Sequence, residues 1–329
     1  VGNHGISVII PNYNGRHILP QVLPSLMEAL VNSGLPYEVI VSDDCSDDQS
    51  VDYLHENFPS IITIENKMNR GFSPTINMGI QEAKYEYVLL LNSDVKLSPD
   101  YFSGLMRYFD RDDTFGVMGR IIGWNDDEIQ DAAKYPRFAG AKIKTTGNYY
   151  ASTPKKTDWL YSMYLSGANA LVSRSKLLAL GGFDEIFAPF YVEDFEISLR
   201  AWRLGWKCYY EHFAVCRHQT SLTIKSKSSK TYINSIYYRN KMFLHAIHLS
   251  GFHLFLWYIQ LLPETIIRLL TLRFYYLRSL KYFFRNRKRA SQSRQKFVML
   301  GQATGMMLNV QQVVTVIKRS LKNVDIKRF

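Results

Sequence analysis

Runs of aliphatic and β-branched residues at 7–11, 38–42, 61–65, 87–91 and 115–119 alternate through the first half of the chain with stretches of helical spacing at 18–32, 50–57, 73–83 and 99–111. Strands alternating with helices of this length predict βαβ units and an α/β fold with a largely parallel sheet. The run at 87–91 is apolar without interruption, as expected of a strand buried on both faces. Residues 124–158 lose the pattern and fill with Asp, Lys, Thr, Gly and Tyr, which predicts an irregular excursion over the sheet, the kind of segment that carries substrate-specific contacts. Regularity returns with a strand over 166–173, a short helix from Arg174 that stops at Gly181-Gly182, and a helix over 192–204 opened by Glu193 and Asp194.

From Tyr232 onward the pattern is helix after helix, dense in aromatic and aliphatic residues and threaded with Arg and Lys. Its most apolar part, 251–262, stops at Pro263 and is far shorter than the roughly 20 residues that span a bilayer. Arg268, Arg273, Arg278 and Lys281, followed by Arg285, Arg287, Lys288 and Arg289, recur among Ile, Leu, Phe and Tyr. That spacing fits helices lying in a membrane interface, and an ordinary packed helical region is the plainer alternative. Exposed aromatic helices of this kind are also able to pair with a second copy.

Charge sharpens the division. Residues 1–220 hold 20 Lys and Arg against 27 Asp and Glu, whereas 221–329 hold 20 against only Glu264 and Asp325, so a net −7 is followed by +18. An acidic half able to bind metal precedes a basic half suited to an anionic surface, either nucleic acid or the cytoplasmic leaflet of a membrane. The apolar density of 252–262 and 274–284 favours lipid over nucleic acid. With 329 residues, 47% of them hydrophobic, there is chain for a large core and an appendage. Three scattered cysteines, Cys45, Cys208 and Cys216, predict no disulfide framework, and the first residues show no signal peptide. Both fit a reducing, cytoplasmic setting.

Open α/β sheets bind ligands beyond the carboxyl ends of their strands. There the chain places Pro11-Asn12-Tyr13-Asn14-Gly15, Ser42-Asp43-Asp44-Cys45-Ser46, Asn69-Arg70-Gly71-Phe72 and Asn92-Ser93-Asp94. The Tyr13 ring is able to lie on a flat base, and a carboxylate at Asp43 or Asp44 to accept the N–H of a pyrimidine. Gly71 offers bare backbone, Arg70 meets phosphate, and Asp94 holds a hard divalent cation that neutralises phosphate. Taken singly, Asp-Asp-x-Ser reads equally as a helix N-cap, and an isolated Asp as a turn cap.

Taken in order, these segments resemble the inverting glycosyltransferases of family 2, which have the GT-A (Rossmann-like) fold. The likeness runs from Ser7 to Ser221 and includes Asn77 and Gly79, Gly181-Gly182-Phe183-Asp184-Glu185 with Phe187, Tyr191-Val192-Glu193-Asp194 and His218-Gln219-Thr220-Ser221. It implies a catalytic domain over 1–222 with a mixed, largely parallel sheet, and a basic helical region over 223–329 for membrane attachment or self-association. The implied reaction moves a sugar from a nucleotide-diphosphate sugar to a hydroxyl of a glycan or lipid-linked acceptor, assisted by Mn2+ or Mg2+. Asp194 matches the family's base, with Glu193 as the fallback. Pro11, Tyr13, Asp43, Asp44, Arg70, Gly71, Asn77, Asn92 and Ser93 fall to the donor, Asp43 preferred over Asp44 for the base edge. Asp94 and His218 fall to the metal, and Asp184 and Glu185 to acceptor or donor hydroxyls. The metal motif departs from the usual pair of acidic positions, since Asn92 and Ser93 precede a single Asp94. That form is similar to transferases of rhamnose and related sugars, and lowers the expected metal affinity. The implied setting is the cytoplasmic face of a membrane, peripherally bound. A nucleotidyltransferase would instead need a glycine-rich basic phosphate loop after the first strand, and a nucleic-acid-binding protein would use the basic half alone.

Overall fold

The computed structural model describes residues 3–219 and 229–329. In chain order the elements are β1 (Ile6–Asn12), α1 (Leu19–Ser33), β2 (Tyr37–Asp43), α2 (Ser50–Asn57), β3 (Ile62–Glu65), α3 (Phe72–Glu82), β4 (Tyr87–Leu91), β5 (Val95–Leu97) and β6 (Thr114–Gly123). There follow β7 (Ile129–Asp131), β8 (Ala133–Ala139), β9 (Lys142–Ala151), β10 (Leu160–Tyr161), β11 (Asn169–Ser173), α4 (Arg174–Ala179), α5 (Glu193–Arg203) and β12 (Lys207–His218). The helical region comprises α6 (Lys230–His248), α7 (Gly251–Leu270), α8 (Tyr275–Arg285), α9 (Arg287–Thr304) and α10 (Val310–Ser320), and the chain closes on β13 (Ile326–Arg328). The expected boundary at 222/223 lies outside the described residues, as do Thr220 and Ser221.

The main sheet has the order β10-β12-β6-β11-β4-β1-β2-β3. Strands β3, β2, β1 and β4 run parallel, β11 lies antiparallel between β4 and β6, and β6 and β12 are parallel to each other. The carboxyl ends of β1, β2, β4, β6 and β12 and the start of β11 therefore share one edge. Asn12 stands opposite Asp43, and Asn169 opposite Leu91. The uninterrupted apolar run of β4 is buried at every position, because helices cover both faces. One face packs against Leu19, Leu23, Leu26 and Leu30 of α1 with Tyr101, Leu105 and Tyr108. The other packs against Ile76 and Ile80 of α3 and Leu199 and Trp202 of α5. That cluster continues without a break into Phe243, Trp257, Phe283 and Phe297 of the helical region.

Three expectations change. Residues 124–158 are not irregular: β8 and β9 form a hairpin turning at Gly140, joined on its free edge by β13, while β7 adds to β6. Over 99–111 only Met106–Asp110 is helical, and it is 3-10. Phe102, Leu105 and Tyr108 are buried at a spacing of three, and the bonds from Leu105 N–H to Phe102 and from Tyr108 N–H to Leu105 select that tighter turn. The apolar run from Gly251 does not end at Pro263 but carries α7 through it to Leu270. Among the described residues, no helix is long and apolar enough to cross a membrane.

The edge that carries the strand ends is set by how closely α3 lies on β1 and β2. A Cβ at Gly79 would meet Ile9 Cγ2 at 2.4 Å and Ser42 Oγ at 2.8 Å. Ile9 is β-branched and fully buried, so it cannot swing aside. Gly79→Ala gains up to about 1 kcal/mol of helix propensity but forces overpacking that costs about 1–3 kcal/mol. A lower urea midpoint at unchanged m-value is the expected result, and a raised midpoint would show that this contact does not set the packing.

Candidate active site

At the shared edge the strand-end segments enclose a cavity of about 1000 Å³. Pro11 and Asn12 at the end of β1 with Tyr13 beyond it, Asp44 after β2, Asn69, Gly71 and Phe72 before and on α3, and Asn92, Ser93 and Asp94 after β4 line it. From further along come Ser166-Gly167-Ala168, Glu193, Asp194 and His218.

Asp43 and Asp44 are adjacent yet differently used. Asp43 accepts Asn12 Nδ2 (2.7 Å), Ser46 N–H (2.7 Å) and Ser46 Oγ (2.6 Å), and it is not among the residues lining the cavity. Its carboxylate knots the first two strand ends together, so the preference for Asp43 at the base edge does not match its placement. Asp44, which faces the cavity, accepts Asn66 Nδ2, Arg70 N–H and Gly71 N–H, each at 2.8 Å. A carboxylate has about four acceptor positions, so Asp44 keeps capacity for one more donor. Gly71 sits at φ +86°, and a Cβ there would lie 2.5 Å from Pro189 Cα. Only glycine fits this left-handed close approach, which brings the loop before α3 against the loop before α5.

Asp94 and His218 are brought together by strand pairing. Val95 of β5 stands opposite His218 of β12, and Gln219 N–H donates to Asp94 O at 3.0 Å. His218 Nε2 lies 3.3 Å from Asp94 Oδ1, a buried oxygen that receives no hydrogen bond. A buried carboxylate oxygen without a donor beside an imidazole nitrogen, in a cavity that Asn92 and Ser93 also line, suits a divalent cation. No cluster of three His, Cys, Asp or Glu converges anywhere among the described residues. A cation held here would take only part of its coordination shell from Asp94 and His218.

Glu193 and Asp194 open α5, preceded by Tyr191 at φ +75° and Val192 at φ +78°. Burial, then the neighbouring Asp194, pushes the Glu193 carboxyl up from 4.5 to about 8. Burial also raises Asp194, and Asp131 adds to that, while the Phe195 N–H at 2.7 Å and the cations of Lys134 and Lys241 pull it down. Lys241 itself is lowered to about 8 by burial, with Asp194 opposing the shift. Lys134 is buried between Asp131, with which it is ion-paired, and Asn148 Oδ1 at 3.0 Å. Two carboxylates of raised pKa at a helix start, lining the cavity, are equipped for proton transfer.

Besides Asp43, four expected site residues lie elsewhere. Arg70 turns away to pair with Glu185 at 3.2 Å, and Asn77 holds Phe183 by its N–H (2.8 Å) and its carbonyl (2.9 Å). Asp184 caps the short turn Glu185–Phe187 through Ile186 N–H at 3.0 Å. Asn77, Asp184 and Glu185 line a separate cavity of about 580 Å³ against α9. Conversely, Gln130, Asp131, Lys134, Asn148, Phe190 and Tyr232 line the main cavity without having been expected there. The first four stand on or beside the β7–β9 strands, whose alternation of buried Ile143, Tyr149 and Ala151 was the available signal.

The Glycosyl transferase family 2 model matches residues 7–181. The chain is 26% identical over 242 residues to a chondroitin synthase of Escherichia coli, a match covering 65% of this chain and 34% of that protein. It is 23% identical over 247 residues to the N-acetylglucosaminyl-diphospho-decaprenol L-rhamnosyltransferase of Mycobacterium tuberculosis, covering 68% and 79%. The chain thus spans about a third of the length of the synthase and most of the rhamnosyltransferase. Among solved structures, GalNAc-T7 with UDP, GalNAc and Mn2+ superposes with a TM-score of 0.66 at 15% identity, over 97% of this chain and 57% of that one. A mannosyltransferase from Pyrobaculum calidifontis with GDP-Man and Mn2+ gives 0.52 at 16% identity, over 97% and 81%. These likenesses show a GT-A fold.

The raised Glu193 carboxyl has a consequence for stability. Between 4.5 and about 8 the folded chain keeps a proton that the unfolded chain has released. Its stabilising contribution is therefore full below 4.5 and is lost as pH rises through about 8, at up to about 1.4 kcal/mol per pH unit. Unfolding free energy measured across that window should fall less steeply in Glu193→Gln than in the parent, and equal slopes would refute the buried, protonated state.

Proposed function

The chain belongs to glycosyl transferase family 2, and we propose that it moves a sugar from a nucleotide-diphosphate sugar to a hydroxyl of a glycan or lipid-linked saccharide, inverting the anomeric carbon. The observation that carries this reading is one cavity holding Asp94 beside His218 together with Asp194 at the start of α5. Tyr13 and the spare acceptor position of Asp44 serve the nucleobase end of the donor. The N–H groups of Arg70 and Gly71 are already taken by Asp44 and are not free for phosphate.

In the transfer, the acceptor oxygen forms a bond to the anomeric carbon from the face opposite the diphosphate, whose oxygen departs with the electron pair. The acceptor proton passes to Asp194. This residue is partly exposed to the cavity, and the Phe195 N–H fixes one of its oxygens. Glu193, deeper and protonated near neutral pH, keeps a second negative charge from forming beside the base until the pH nears 8. Mn2+ or Mg2+, when bound by Asp94 and His218, supplies positive charge against the departing diphosphate. Lys134 opposes the upward shift that burial imposes on Asp194 and so favours its charged, proton-accepting form.

We place the enzyme peripherally on an anionic membrane, on its cytoplasmic side. Helix α7 and the link that follows it expose Phe252, Phe255, Ile259, Leu262, Ile266, Ile267, Leu270, Leu272 and Phe274, far more apolar surface than single scattered residues would give. Glu264, the acid on α7, is paired with Lys142, so the unpaired charge on α7 and α8 is positive. A second copy would set cation against cation, whereas an anionic leaflet complements it.

Asp194→Asn should lower kcat by about 10²–10⁴-fold while nucleotide-sugar binding stays within a few-fold, and near-normal turnover would remove Asp194 from the role of base. Asp94→Ala should abolish the dependence of donor binding on added Mn2+ in calorimetry. Unchanged metal dependence would place the cation elsewhere. For the membrane, Phe252→Ser with Ile259→Ser should weaken co-sedimentation with phosphatidylglycerol vesicles by about tenfold or more, from the apolar burial lost. The melting temperature should hold. Parent protein that ignores such vesicles would overturn the placement.

A further inference from the structure

The helical region reaches the cavity through one residue, and a cation stands behind it. Tyr232, in the first turn of α6, lines the cavity and meets the Phe190 ring edge-on at 6.4 Å. The Arg278 guanidinium of α8 lies 5.9 Å from the centroid of that same Tyr232 ring. Arg278 is exposed, and no carboxylate among the described residues pairs with it. One turn on, Tyr282 stacks against the buried Arg239 at 4.7 Å, and Arg239 in turn donates to Ala188 O in the loop that leads to Asp194. Phe274, Leu277 and Phe284 of the same stretch are exposed, continuing the apolar surface of α7.

A guanidinium without a carboxylate partner, one ring away from a sugar-transfer cavity and flanked by exposed apolar residues, matches an anionic head joined to an apolar chain. The planar fork of arginine grips phosphate oxygens in pairs, which a neutral glycan could not use. We propose that Arg278, over the Tyr232 ring, receives the phosphate or diphosphate linking the acceptor sugar to a lipid. The sugar then enters the cavity toward Asp194, and the chain lies along the exposed residues of α7 and α8. This rests on the transferase reading above and narrows its acceptor to a lipid-linked saccharide bearing phosphate.

The test compares binding of farnesyl diphosphate, farnesol and inorganic pyrophosphate, in the presence of chelator, to the parent chain, Arg278→Gln and Arg278→Lys. Co-sedimentation with phosphatidylglycerol vesicles and melting temperature are followed alongside. The parent should bind farnesyl diphosphate better than either half-molecule. Arg278→Gln should lose about tenfold or more, the worth of a charge-assisted hydrogen bond, and Arg278→Lys should recover part of it, with farnesol and vesicle binding holding. Equal affinity in parent and Arg278→Gln overturns the assignment. A parallel loss toward vesicles overturns it as well, by making Arg278 an ordinary headgroup contact. If the parent sediments with vesicles and transfers sugar but does not prefer the diphosphate over farnesol, this inference falls and the transferase reading stands. If it neither sediments nor transfers, both fall.

Discussion

The side-chain amide of Asn240 donates to three backbone carbonyls, those of Phe187, Phe190 and Tyr191, at 2.6, 3.0 and 2.8 Å, and Arg239 beside it donates to Ala188 O. These contacts gather the loop that launches α5. Tyr191 and Val192 both take positive φ there, a conformation that costs about 1–3 kcal/mol each for such residues and persists only where the surroundings over-determine it. The reward of that geometry is that Glu193 and Asp194 leave the loop pointing into the cavity rather than along the sheet. The helical region is thus not an accessory hung on a finished domain. It holds the backbone from which the proposed base projects, and it is tied to the donor side too, since Phe72 N–H donates to Pro189 O at 2.8 Å in the same loop.

Electrostatics around α5 follow from that enclosure. Inside the seam, Glu196 is satisfied by Arg200 (2.9 Å) and His248 (3.2 Å), and Arg200 also donates to Leu180 O and Gly182 O. Glu196 is lowered despite its burial because these partners favour its charge. Three residues earlier Glu193 has no such donor on Oε2 and is raised. The same helix turn therefore carries one carboxylate locked in its charged form and two poised to exchange protons, and the difference lies in partners rather than in residue type.

The strands of the main sheet were legible because each is a local run of apolar residues between turns, and burial on both faces writes itself into every position. The hairpin over 133–151 was not, because part of its pairing comes from β13, which joins β9 from the far end of the chain. Among site residues, Asp94, His218, Glu193 and Asp194 were legible as ordered motifs at element ends, and the structure gathers them around one cavity. The resemblance favours Asp43 over Asp44, whereas the backbone turn beyond β2, which no sequence pattern encodes, turns Asp44 to the cavity. Arg70, Asn77, Asp184 and Glu185 are close in space to one another rather than to Asp94. Their pairing is a tertiary contact between α3 and the loop after α4, which no local pattern encodes.

The two faces of α7 bring these strands of reasoning together. Its inner face grips the hairpin: Gln260 accepts from Ala141 N–H at 2.9 Å and donates to Ala139 O at 3.1 Å, while Glu264 pairs with Lys142 and accepts from Tyr276 at 3.2 Å. Lys134 and Asn148, which line the cavity, stand on the two strands of that same hairpin. Its outer face buries nothing in the protein, and of its 20 residues only Trp257 and Leu261 are buried. A helix so bare would be a liability in water, yet through Gln260 and Glu264 it is rigidly coupled to the strands that carry Lys134 and Asn148. Whatever covers the outer face therefore bears on a body that also shapes the cavity. The anionic lipid surface proposed above would meet both demands, covering the apolar residues while the Glu264 carboxylate stays paired with Lys142.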